Sequence, residues 1–163
     1  MKYIRTYASM SQCGLYRYTL WRVWDESKPA CVFVGLNPST ADASEDDATI
    51  RRCVRFAKDW DCGELLMLNL FAFRATRPKD MLAACDPVGE ENNSFIEKYG
   101  TLRNNKLVVA AWGATPASGR DEEVKKLLRG RGVQLHHLGL TKQGKPKHPL
   151  YLRADTKPEL WNA

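Results

Sequence analysis

Two features of the chain predict a three-layer α/β/α fold with a mostly parallel central sheet. Three short continuous apolar runs, Cys31-Val-Phe-Val34, Leu65-Leu-Met-Leu68 and Leu107-Val-Val-Ala-Ala111, suit strands buried on both faces. Helical patterns alternate with these runs, and a strand–helix–strand repeat implies parallel pairing, because right-handed crossovers place the helices on the faces of the sheet.

The elements follow in order. Residues 15–24, Leu-Tyr-Arg-Tyr-Thr-Leu-Trp-Arg-Val-Trp, are aromatic and branched with partial alternation, which predicts a half-buried strand at an edge of the sheet. After the strand at 31–34, Ile50, Cys53, Val54, Ala57 and Trp60 recur at helical spacing and leave Arg51, Arg52, Arg55 and Lys58 on the other faces. Asp46 and Asp47 suit the N-terminus of that helix. Residues 89–101 and 119–130 read as further helices, the latter with acids early and bases late, as the helix dipole favours. A more polar strand is expected at Val133–Leu138, where His136 and His137 would alternate faces, at least one of them structural.

A length of 163 residues fits one domain, expected to span 1–163, and 44% hydrophobic with 27% charged residues excludes a disordered or fibrous chain. The longest apolar run, Leu65 to Phe73, is broken by Asn69 and falls short of the roughly 20 residues of a spanning helix, so no membrane association is expected. The first residues lack a secretory apolar stretch, and a cytoplasmic location is expected. Five cysteines without C-x-x-C spacing or paired histidines point to reduced, mostly structural thiols, with no metal site and no cofactor. The net charge of +6 is concentrated late: residues 101–163 carry 12 Lys and Arg against 5 acids. A patch of Arg129, Arg131, Lys142, Lys145, Lys147 and Arg153 could neutralise phosphates.

In a parallel sheet, ligands bind at the carboxyl ends of the strands, so the residues just after each run carry the function. Gly35-Leu36-Asn37-Pro38-Ser39-Thr40-Ala41-Asp42 follows the first, and its Asn-Pro pair forces an extended or turn geometry. Asn69 ends the second; its amide offers a donor and an acceptor to a base edge, and leaving it unpaired costs a few kcal/mol. Beyond it stand Phe71, Phe73, Arg74 and Thr76. Trp112-Gly113 follows the third run, where a missing Cβ permits close approach of a ligand. No phosphate loop is present, because the Gly113 to Gly119 spacing is one residue too long and Arg120-Asp121 replaces Lys-Ser/Thr. His148, among nearby bases, suits donation to a phosphate or an anionic leaving group.

The strings VFVGLNPSTADA, DDATIRRCVRFA, NLFAFRAT, DPVG, AAWG and LGLTKQGKPKHPLYL, spread from Cys31 to Leu152, resemble the bacterial and phage domain of unknown function family 1643. The order of motifs also resembles, more remotely, the uracil-DNA glycosylase superfamily. There a G-x-[ND]-P loop follows the first strand, an Asn ends the second, W-G follows the third and an H-P loop follows the last. GLNPS is similar to the GINPG of mismatch-specific members, NLFAFRAT to their N-x-V-x-R-x-T region and KHPLYL to the H-P-S-P-L wedge loop.

That resemblance implies a uracil-DNA glycosylase-like fold and hydrolysis of the N-glycosidic bond of an unusual or modified base in DNA, without metal or cofactor. By position it makes Asn37 the residue that orients water, Asn69 the reader of the base and His148 the group that stabilises the departing base or grips a phosphate. Gly35, Pro38, Ser39, Phe71, Arg74 and Gly113 would line the substrate site, with Phe71 or Phe73 stacking on the base. Leu150 or Tyr151 would fill the gap left by an extruded nucleotide, beside Lys145, Lys147 and Arg153 on the phosphates. An amide is not a general base, and the acids nearest in sequence are Asp42, Asp46 and Asp47; Asp42 completes the catalytic set, with the choice among the three open. Ser39 replaces the bulky Tyr of uracil-specific members, which admits a larger base, and the cysteines do not follow the pattern of the iron–sulfur members. A module that binds nucleic acid or a modified nucleotide without chemistry, and a hydrolase of free nucleosides or nucleotides, are the alternatives. The expected partner is DNA or a nucleotide-like ligand; no protein partner is indicated.

Overall fold

The computed structural model describes residues 2–162. In chain order the elements are β1 (Arg5–Met10), β2 (Arg17–Val23), β3 (Ala30–Gly35), α1 (Ala48–Asp59), β4 (Glu64–Asn69), α2 (Pro78–Leu82), α3 (Asn92–Gly100), β5 (Asn105–Ala110), α4 (Arg120–Arg129), β6 (Leu135–His137), a 3-10 turn (Pro149–Tyr151) and β7 (Glu159–Leu160). The seven strands form one sheet in the order β1-β2-β4-β3-β5-β6-β7. The central four, β4, β3, β5 and β6, are parallel, whereas the β1–β2, β2–β4 and β6–β7 pairings are antiparallel.

Alternation along β3 creates the layers. Cys31 and Phe33 pack with Ile50, Cys53, Val54 and Ala57 of α1, while Val32 and Val34 pack with Ile96 of α3 and Val124 and Leu128 of α4. Helices therefore cover both faces, which is why the central strands read as unbroken apolar runs. Truncating a side chain as enclosed as Phe33 to Ala would cost about 3–5 kcal/mol.

Several expectations change. The 15–24 segment is not an edge: β1 pairs along its outer side, from Arg5↔Val23 to Met10↔Arg17. The sequence of β1, Arg-Thr-Tyr-Ala-Ser-Met, has little apolar content because none of its residues is buried: three are exposed and three half-buried. Helix α2 was not expected either; Pro78 at its start is tolerated because the first helical N–H has no intrahelical acceptor. The strand expected at 133–138 is confined to three residues. Within it His137 is buried, with its ring edge-on to Trp161 and Nδ1 accepting from the Gly139 N–H, and so is structural.

Cys31, Cys53 and Cys62 are buried, Cys13 and Cys85 are exposed, and all five are free. No helix among the described residues is long and apolar enough to cross a membrane.

Candidate active site

The chain leaves β3 through α1 to β4 on one side and later returns to β5 on the other. The loops after β3 and β5 thus diverge to opposite faces, and a crevice opens at the carboxyl ends of these strands. A cavity of about 370 Å³ occupies it, walled by the ends of β3, β4 and β5, the start of α1 and the Pro149–Tyr151 turn. That volume lies at the small end of the range for small-molecule sites, about 300–1,000 Å³.

Asn69 and Gly35 make the floor. Opposed in the parallel β3–β4 register, they are so close that a Cβ at residue 35 would stand 2.8 Å from Asn69 Oδ1. Asn69 is 1% exposed, and its Nδ2 has no acceptor although the residue lines the cavity. Its backbone is fixed by the Asn92 amide, which donates to the carbonyls of Asn69 and Leu70 at 3.1 Å. Asn37 also lines the cavity, but its Nδ2 is committed to the carbonyls of Pro38 at 3.0 Å and Ala75 at 2.9 Å. Its amide hydrogens hold the loop, and Oδ1 is the atom left for a ligand or water.

His148 packs beside Gly113, just beyond the end of β5: a Cβ at residue 113 would stand 3.7 Å from the His148 Cβ, and the φ of +77° there favours glycine. His148 Nδ1 accepts from the Leu150 N–H at 3.2 Å, so the neutral ring carries its proton on Nε2 and can donate there. Burial holds the imidazole below its ordinary pKa, opposed by the carboxylate of Asp47. Asp47 caps α1 through Oδ1, which accepts from the Ile50 N–H at 2.9 Å, and it too lines the cavity. The fourth polar wall is Arg17, 2% exposed, whose Nη1 donates to the Ala41 carbonyl at 2.8 Å while Nε has no acceptor. The Arg17 pKa is lowered to about 10, chiefly by burial and also by Arg74 and Arg22, against the opposing pull of the Asp47 and Asp42 carboxylates.

Of the residues expected from sequence, Gly35, Asn37, Ser39, Asn69, Gly113 and His148 meet in this cavity, with Leu150 and Tyr151 at its mouth. Tyr151 is 86% exposed and stands with its ring 5.7 Å from that of His148.

The others lie elsewhere. Asp42 is outside the cavity, its Oδ1 closing a turn with the Ser44 and Glu45 N–H groups. Asp46 is spent on Arg22 at 2.8 Å and on the Tyr3 hydroxyl at 2.6 Å, so among the three acids Asp47 alone faces the cavity. Phe71 is a core residue behind β4, and Phe73 packs edge-on to Tyr16; neither lines the cavity. Pro38 is buried behind the loop, accepting from the Ala75 N–H, and Arg74 reaches back to the Gly14 carbonyl. Lys145 pairs with Asp121 at 2.6 Å and Arg153 with Asp155 at 3.1 Å, while Lys147 is exposed and lies outside the cavity.

Arg17 went unread because β2 runs antiparallel to β4, which puts the first residue of β2, not its last, at the functional rim. An arginine opening an otherwise aromatic and branched strand was the available signal. Among the described residues no cluster of three His, Cys, Asp or Glu is arranged to hold a metal ion.

Residues 17–150 match the family described as protein of unknown function, DUF1643, and the chain belongs to it. No curated protein and no solved structure matches the chain.

Proposed function

We propose that the protein hydrolyses the N-glycosidic bond of an unusual or modified nucleobase in DNA. The observation that carries this reading is the unpartnered amide of Asn69 in the same small cavity as the Asp47 carboxylate and the His148 imidazole. A buried amide left without partners is costly, and a base edge would complete its hydrogen bonds.

Cleavage breaks the C1′–N bond, builds positive charge on the sugar and negative charge on the base, and forms a bond from C1′ to a water oxygen. Asp47 serves as the acceptor of the water proton, and Asn37 Oδ1 fixes the same water by accepting its second hydrogen. His148 Nε2–H donates a hydrogen bond to the departing base or to an adjacent phosphate. Being neutral, it keeps its own proton; the base leaves as an anion and takes up the proton released by the water. Leu150 and Tyr151, exposed at the mouth, are the side chains available to fill the stack vacated by an extruded nucleotide.

The test is incubation with single- and double-stranded oligonucleotides carrying a panel of unusual bases, phage-type modified ones included, followed by alkali to reveal abasic sites. Strand breaks that disappear in Asp47→Asn and Asn69→Ala support the reading; intact strands with every base overturn it.

One observation favours a hydrolase of free nucleotides as the second reading. Lys145 and Arg153, which a polymer would need for its phosphates, are already paired with Asp121 and Asp155. Release of free base from nucleosides or nucleotides, with oligonucleotides left intact, would select it.

A further inference from the structure

Two arginines of β2 are almost completely buried, yet they are treated differently. Every guanidinium nitrogen of Arg22 has an acceptor: Nε donates to Asp46 at 2.8 Å, Nη1 to the Trp21 carbonyl at 2.9 Å, and Nη2 to the Asp42 and Glu45 carbonyls. Arg17 donates only from Nη1 to Ala41; Nε has no acceptor, and among the described residues no carboxylate lies within 4.0 Å of its guanidinium. A buried charge with no carboxylate in contact is among the most expensive arrangements in a protein interior, and Asp47 and Asp42 act on this one only from beyond ion-pair distance.

The imbalance extends to the rest of the cavity. Arg17 Nε, Asn69 Nδ2 and Trp112 Nε1 are three buried donors without acceptors, all on cavity-lining residues, and His148 Nε2–H adds a fourth donor. Facing them are the Asp47 carboxylate and the Asn37 carbonyl oxygen. Donors are in excess around the cavity, and the positive charge stands on its β2–β4 side.

We infer that Arg17 receives an anionic oxygen group of the ligand, so that the cavity selects an acidic ligand over its neutral counterpart. A guanidinium suits this task because two parallel N–H groups can meet two oxygens of a carboxylate or a phosphate. The inference names a substrate class for the cavity on which the glycosylase reading rests. A carboxylate-bearing base would present its charge directly, and a nucleotide would present a phosphate.

Isothermal titration calorimetry distinguishes these sources with two matched pairs, 5-carboxyuracil against uracil and uridine 5′-monophosphate against uridine. At least one acidic probe is expected to bind about tenfold or more tighter than its neutral partner. A preference within the first pair identifies an acidic base, and within the second a phosphate. Arg17→Met and Arg17→Gln should each abolish the preference while the melting temperature of the unliganded protein stays level or rises, because an uncompensated buried charge has been removed. A merely structural arginine would lower it. Equal binding of charged and neutral probes, absence of binding by all four, or a preference that survives in either variant overturns the inference; the wild-type comparison decides the first two even if neither variant folds. Binding is read without turnover, so a protein that prefers the acidic probes but leaves every oligonucleotide intact loses only the glycosylase reading. One that cleaves yet shows no preference loses only this one.

Discussion

The side chain of Asn69 rests on the backbone of Gly35, with no room between them for even a methyl group: a Cβ at residue 35 would meet Asn69 Oδ1 at 2.8 Å and Met67 Cε at 2.7 Å. Gly35→Ala must therefore push the amide out of place. Overpacking of this kind costs about 1–3 kcal/mol, measurable by urea unfolding, and base release should fall alongside it. A variant as stable and as active as the parent would show that the amide's position is immaterial.

Asn69 itself should separate stability from activity. Asn69→Ala removes a donor that has no acceptor and shortens a side chain that already borders a cavity, so folding stability should stay within about 1 kcal/mol of the parent. Base release should drop about 10²-fold, the order expected when an oriented hydrogen bond is lost from a reacting site. A stability loss well beyond that margin would make the amide a structural element.

Asp46 and Asp42 lie four residues apart, and their losses should differ sharply. Asp46→Ala leaves the buried Arg22 guanidinium without its carboxylate, which costs about 3–5 kcal/mol. Asp42→Ala removes only the side-chain acceptor of an exposed turn, at about 1 kcal/mol. Chemical denaturation of the two variants gives the contrast directly, and equal losses would contradict it.

His148 makes stability depend on pH in a defined direction. Burial lowers its folded pKa below the ordinary value of about 6.5. In the window beneath that value the unfolded chain binds the proton and the folded one does not, so stability is fully present above it and declines as pH falls. His137 is shifted the same way by its own burial. His148→Gln should thus reduce, without removing, the fall in melting temperature between neutral and acidic pH. An unchanged profile, or an NMR titration placing the His148 imidazole above its ordinary value, would refute the assignment.

Tyr151 should matter only for a polymer. Stacking of a base on an aromatic ring contributes about 1–3 kcal/mol, so Tyr151→Ala should weaken release from DNA about tenfold or more and leave free nucleosides unaffected. Equal effects on both substrates would place the ring inside the substrate site and not at a gap in the duplex.

Physical chemistry explains which features could be read from sequence. The central strands were legible because burial on both faces leaves an uninterrupted apolar run, as in Leu65 to Leu68. Asn37, Asn69, Gly113 and His148 were legible as a group because carboxyl ends of parallel strands share one rim. Asp42 was the nearer acid in sequence, yet the Asx turn it closes consumes its carboxylate, and the helix cap five residues later carries Asp47 into the cavity. Phe71 does not reach the opening because β4 ends at Asn69 and alternation breaks there, so that Leu70 and Phe71 both pack into the core on the face opposite α1. The basic patch could be counted, but its pairing with Asp121 and Asp155 depends on tertiary neighbours that composition does not record.

Helix α1 governs two sides of the cavity at once. Its cap supplies Asp47, and one turn further on Arg52 donates to the Leu152 carbonyl, just past the turn that begins at His148. Acid and imidazole, a hundred positions apart in the chain, are thus riveted to the same rod. Both groups stand beside the cavity in the unliganded protein, so a molecule that enters meets them already in place.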